Sequence, residues 1–138
     1  MIGLRLVGIL GAAMLVAAPL RVEAHHSAVM FDDQKDVTFE GVVKEFQYTN
    51  PHSWLLVDVT NKDGSVTTWG FEAEGPSTLL RNGVKPADLK FGTKLTIMGH
   101  PMKDGRPGAL WVKAVRDDGK EFYPAGRPGA RGGAAAQN

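Results

Sequence analysis

Between Val37 and Tyr123 apolar residues recur at every second position in short runs, and each run is cut by a turn signal. A chain with that period does not sustain the 3.6-residue stripe of a helix; it builds pleated strands with one buried face. Val37, Phe39 and Val43 fall on one phase and Val42, Phe46 and Tyr48 on the other. With Gly41 at the changeover, the first strand is expected to bend or bulge there. After the Thr49-Asn50-Pro51 turn, a second strand is expected over His52 to Thr60, with Leu55, Val57 and Val59 on one face and His52, Trp54 and Leu56 on the other. Asn61-Lys62-Asp63-Gly64 reads as a hairpin loop, Gly64 supplying the positive φ of a tight turn. The third strand, Ser65 to Ala73, is expected to bury Trp69, Phe71 and Ala73.

Pro76 to Gly83 reads as a short helix, with Pro at its start, Gly past its end, Gly75 as N-cap, and Leu79, Leu80 and Val84 facing the sheet. Lys85 to Gly92 is then a connection, Lys94 to His100 a fourth strand with Leu95 and Ile97 inside, and Ala109 to Asp117 a fifth with Leu110, Val112 and Ala114 inside. Asp117-Asp118-Gly119 turns into a short sixth strand, Lys120 to Tyr123. Three strands, a helix and two strands is the order of a small all-β OB-fold-like barrel, whose bent first strand serves both halves of the sheet. A small β-sandwich is the alternative.

The ends of the chain read differently. Leu6 to Ala18 is an apolar and glycine run behind Arg5, followed by Val22-Glu23-Ala24, an A-x-A-like cleavage site. At 13 residues the run falls short of the ~20 that span a bilayer, so residues 1–24 read as a cleaved signal peptide with no stable membrane anchor afterwards. The expected organisation is a leader over 1–24, an amino-terminal arm over 25–36, a barrel over 37–123, and a disordered Gly/Pro/Ala tail over 124–138. That tail has too little apolar surface to offset chain entropy.

Composition then narrows the chemistry. No cysteine is present, which excludes disulfides, thiolate nucleophiles and Cys-rich zinc sites. The leader carries two of the 16 basic residues, Arg5 and Arg21, and one of the 15 acidic ones, Glu23, so the mature chain is formally neutral. A neutral exported chain lacks the positive footprint that nucleic-acid binding needs.

The unusual motifs contain all four histidines. Met30-Phe31-Asp32 follows Ala24-His25-His26-Ser27; Gly41 to Phe46 leads to Tyr48-Thr49-Asn50-Pro51-His52-Ser53-Trp54; Gly99-His100-Pro101 precedes Asp104-Gly105. These elements resemble a family of small exported bacterial proteins, a domain of unknown function, over Ala24 to Tyr123. The resemblance implies export and a small β-rich fold, and nothing about mechanism.

Cleavage after Ala24 would make His25 the first residue, bringing an α-amino group and an imidazole within chelating distance, a pair that suits copper. His26 stands beside it. His52 opens the second strand, and His100 closes the fourth within Met98-Gly99-His100-Pro101-Met102. In an OB fold the loops after the first and fourth strands flank the ligand face, so His52 and His100 are expected to approach each other. The metal candidates are therefore His25, His26, His52 and His100, with Met98 and Met102 as thioether donors suited to Cu(I).

The first functional reading is an exported periplasmic copper-binding protein. The second is an accessory module without metal, holding a small ligand or a periplasmic partner on a face formed by Trp54 and Trp111. The residues do not read as an enzyme: no nucleophile motif or phosphate loop is present, and Glu72 with Glu74 reads as a solvated strand edge. Oxygen activation at an amino-terminal His copper site would be the exception, resembling the histidine-brace oxidases, and would need a second, fixed imidazole. Asp32-Asp33-Gln34-Lys35-Asp36 reads as a solvated loop, since it lacks the Gly and the closing Glu of a calcium site.

Overall fold

Val42 belongs to two ladders at once, and that double pairing organises the molecule. The computed structural model describes residues 29–129. Its strands are β1 (Val37–Gln47), β2 (Ser53–Thr60), β3 (Val66–Ala73), β4 (Lys94–Pro101), β5 (Gly108–Arg116) and β6 (Glu121–Phe122). Helix α1 (Pro76–Arg81) and a 3-10 turn (Pro86–Asp88) lie between β3 and β4. The first half of β1, Val37 to Val42, pairs with β4, and the second, Val42 to Gln47, with β2. β2 pairs with β3, β4 with β5, and a parallel match of Gly70–Glu72 with Gly108–Leu110 closes the ring. Five strands in the cyclic order 1-2-3-5-4 form the expected OB-like barrel rather than a sandwich.

The bend has a steric cause. A Cβ on Gly41 would stand 2.5 Å from Val57 Cγ1 and 2.8 Å from the Asp58 carbonyl oxygen, so the strand crosses the interior this closely only without a side chain. The change of phase comes three residues after Gly41, not at it. The register with β2 slips between Val43 and Glu45, leaving Lys44 as the bulge. Val43 is therefore fully buried on the first phase, Phe46 and Tyr48 pack on the core after the slip, and Val42 is 37% exposed rather than buried.

The hairpin between β2 and β3 forms as expected, with Gly64 at φ 84° and Asn61 N–H donating to the Ser65 carbonyl at 2.7 Å. Helix α1 has Gly75 as N-cap, Pro at its first turn and Gly83 at φ 76° past its end. Leu79 and Val84 are buried, but Leu80 is 56% exposed. A helix this short turns one of two adjacent leucines inward and the other, ~100° around, outward. The Tyr48 hydroxyl fixes the helix against β1, lying 2.9 Å from the Pro76 carbonyl oxygen and 3.2 Å from that of Val84.

A second bulge corrects the fifth strand. Gly99 faces Trp111 while Met98 faces Lys113, so Val112 is an extra residue and the burial phase jumps across it. Ala109, Trp111 and Ala114 are buried, in place of the expected Leu110, Val112 and Ala114. Packing also continues past Tyr123: Pro124 is buried and its carbonyl accepts from Asn82 Nδ2 at 2.7 Å. Arg127 pairs with Glu121 at 3.0 Å and lies over the Tyr123 ring. The expected leader, His25 to Ala28, and the rest of the tail lie outside the described residues.

Candidate metal centre

His52 is set by a turn with little freedom. The Thr49 hydroxyl donates to the His52 carbonyl at 3.2 Å, and the buried Ser53 hydroxyl donates back to the Thr49 carbonyl at 3.3 Å. The Asn50–Pro51 peptide is cis. The turn lies so close to the start of α1 that a Cβ on Gly75 would meet the Pro51 carbonyl oxygen at 2.8 Å. From this base the His52 ring places Nδ1 2.9 Å from Glu72 Oε1. Glu72 is 3% exposed, so its carboxylate is a buried partner and not the solvated edge that its spacing from Glu74 suggests.

His100 repeats the arrangement with different parts. Its Nδ1 lies 3.0 Å from the Lys35 carbonyl oxygen and 3.1 Å from Asp36 Oδ1. Both are acceptors, as is Glu72, so each neutral ring carries its proton on Nδ1 and keeps the lone pair on Nε2. Metal-binding histidines are held in this way, with the far nitrogen tied to a carboxylate or a carbonyl that orients the ring and raises its basicity.

The arm that supplies Asp36 is docked on the barrel. Asp32 N–H donates to the Pro101 carbonyl at 2.8 Å, Lys103 N–H donates to that of Met30 at 2.9 Å, and Phe31 bridges to Met102 between them. Phe31 is 2% exposed, which anchors the arm by burial as well as by backbone bonds. Lys35, hydrogen-bonded to Asp32, holds that carboxyl below the usual carboxylate range.

Across the outer face the ladders set two rows. Trp54, Glu72, Leu110 and His100 form one, and Leu56, Gly70, Gly108, Met102 and Phe31 the next. The glycines leave room that neighbours fill: Trp54 Cε3 lies 3.2 Å from where a Gly70 Cβ would stand, and Met102 Sδ 2.9 Å from that of Gly108. His52, Trp54, His100 and Met102 thus share a face, and Met98 sits two residues before His100 on the same side of β4.

His52 and His100 are not brought into one cluster. Two strand spacings, ~10 Å, separate His100 from the Glu72 that holds His52, and each ring has its own carboxylate. Among the described residues no group of three or more His, Cys, Asp or Glu is placed to hold a metal ion. His25 and His26 lie outside the described residues. Trp111 is not on this face at all; it is 2% exposed, packs edge-on to Phe46 at 6.2 Å, and its indole N–H has no partner among the described residues. The aromatic wall expected from Trp54 and Trp111 therefore reduces to Trp54.

A cavity of about 710 Å³ opens beside the middle of β1 and the start of β4, lined by Glu40, Val42, Asp58, Lys94 and Arg116 among others. No histidine lines it, and its mixed charges favour no single ligand. Among the described residues no helix is long and apolar enough to cross a membrane.

No curated protein and no solved structure matches this chain. A family profile described as a family of unknown function, DUF6152, matches residues 13–111, a stretch that includes the arm, all four histidines and the barrel as far as Trp111. The chain belongs to this family of unknown function.

Proposed function

We propose that this is an exported copper-binding protein of the periplasm, with its metal held between the mature amino terminus and the outer face of the barrel. The observation that carries the reading is the pair of tethered rings: His52 on Glu72 and His100 on Asp36, each with Nε2 left as the free donor. The docking of the arm supports it further. With Phe31 fixed beside Met102 and Val29–Met30 helical, His25 is six residues away, a span of at most ~16 Å, and His100, two residues from Met102, lies within that radius. His25 would contribute its amine and ring, and His26 and His100 further imidazoles; His52, held apart on Glu72, is an oriented ring outside this set. Nitrogen donors of this kind suit Cu(II).

The protein's own part in such a site is to hold the His100 ring in one tautomer and to bring the arm to it; we propose no turnover. The alternative of a metal-free module for a small ligand or a periplasmic partner loses half its surface with the burial of Trp111. Native mass spectrometry of the exported protein, with and without one equivalent of copper, tests the proposal. The expected result is a mature mass beginning at His25 that retains one copper and loses it on His25→Ala. A chain beginning at His25 that retains none would overturn it.

A further inference from the structure

The segment between β3 and β4 has two unlike faces. Leu79, Val84 and Leu89 pack into the barrel core, whereas Leu80 and Phe91 are exposed, Phe91 at 83%. A lone exposed apolar side chain is ordinary, but Phe91 is held out rigidly and comes with a charge pattern. It is the second residue of a turn, Lys90 to Thr93, in which Thr93 N–H donates to the Lys90 carbonyl at 3.0 Å and Gly92 takes φ 84°. Both backbone groups of Val43 bind this turn to β1: its carbonyl accepts from Gly92 N–H at 2.8 Å, and its N–H donates to the Thr93 carbonyl at 2.8 Å. The ring therefore stands at the tip of a fixed support.

Positive charge is concentrated in the same place. From Pro76 to Lys94 the chain carries four basic residues, Arg81, Lys85, Lys90 and Lys94, all exposed, against one acid, Asp88. That acid is already taken by Arg116 at 3.6 Å and Lys120 at 2.7 Å. Among the described residues Lys85, Lys90 and Lys94 have no carboxylate partner. This excess stands on a chain that is formally neutral without its leader.

We propose that this segment docks the protein reversibly on an anionic phospholipid bilayer, with Phe91 entering the headgroup region and Lys85, Lys90 and Lys94 facing the lipid phosphates. An aromatic ring at that boundary leaves water, and lysines beside it gain from the negative surface potential. An uncharged surface offers the lysines nothing and a soluble polyanion offers the ring nothing, so the two features together select the bilayer. One ring and three lysines give surface association, not an anchor. No residue is shared with the copper ligands, so each reading can fail alone.

Co-sedimentation of the chain beginning at His25 with lipid vesicles tests this. Vesicles of equal parts phosphatidylglycerol and phosphatidylcholine should retain it at low salt and release it as salt is added; vesicles of phosphatidylcholine alone should not retain it. Phe91→Ser should weaken retention about 10-fold, Phe91→Trp should keep it, and joint replacement of Lys85, Lys90 and Lys94 by Gln should weaken it about 100-fold. Val66→Ser, at an exposed valine of β3, should change nothing. All these side chains are exposed, so unfolding temperatures should match wild type and separate lost docking from lost folding. No retention on phosphatidylglycerol, equal retention on both lipids, undiminished retention in Phe91→Ser or in the lysine variant, or an equal loss in Val66→Ser overturns the docking.

Discussion

The two histidine–carboxylate pairs share a geometry and differ in where the charge is buried. In the pair on the β2–β3 hairpin the Glu72 side chain is 4% exposed and His52 29% exposed; in the pair between the arm and β4 Asp36 is 58% exposed and His100 24%. The first is made within the closed barrel, by neighbouring strands in a register fixed by the Asn61–Gly64 turn. The second joins segments far apart in the chain and exists only while the arm is docked through Phe31. A desolvated carboxylate depends on its partner, because an unpaired buried acceptor carries its full desolvation cost. An exposed one returns to water at little cost. The His52 pair therefore serves the barrel as well as any ligand, whereas the His100 pair is available to a ligand without a large structural consequence.

The largest effect that would break this contrast is on stability. His52→Ala strands the Glu72 carboxylate and should lower the unfolding free energy by about 2–3 kcal/mol, read from urea denaturation, while His100→Ala should change it by less than about 1 kcal/mol. Equal losses would show that the two pairs do the same work. A smaller effect, on binding rather than folding, sharpens the contrast from the other side. Asp36→Asn should lower copper affinity by about 10–100-fold, as expected for loss of a ring-orienting partner, with stability unchanged within about 0.5 kcal/mol. Competition against a chromophoric chelator measures the first and the same urea series the second; a stability loss without a change in affinity would make Asp36 a purely structural residue.

The barrel was legible from period-2 alternation and turn chemistry, because both are local. Leu55, Val57 and Val59 on one face of β2, and Leu95 and Ile97 in β4, needed nothing else. The phase errors all came from bulges. Nothing in Leu110-Trp111-Val112-Lys113 marks an inserted residue, since the slip is imposed by the approach of Gly99 to β5, where a Cβ would meet the Leu110 carbonyl oxygen at 2.5 Å. Trp111 thus enters the core where strict alternation turned it outward. In β1 the glycine marked the bend correctly, but the bulge fell at Lys44, a residue with no local signature.

The partners of the histidines were less legible, for a different reason. Glu72 was within reach of the sequence: a hairpin turn at Asn61–Gly64 pairs Thr60 with Val66, and counting back along that register places Trp54 opposite Glu72 with His52 diagonal to it. Its burial was not, because alternation along β3 turns it away from Phe71 and Ala73, the face that a local pattern assigns to the core. Asp36 was hidden by its setting in an acidic, turn-like run, and only the docking of the arm shows that it faces His100. Pairings that close across the barrel leave no trace in a local pattern.

Electron paramagnetic resonance of the chain beginning at His25, loaded with one equivalent of Cu(II) and labelled with ¹⁵N-histidine, tests the central claim most directly. Hyperfine coupling from at least two imidazole nitrogens is expected, one of which disappears in His100→Gln. A spectrum that is identical in wild type and His100→Gln would show that the tethered ring on β4 is not a ligand.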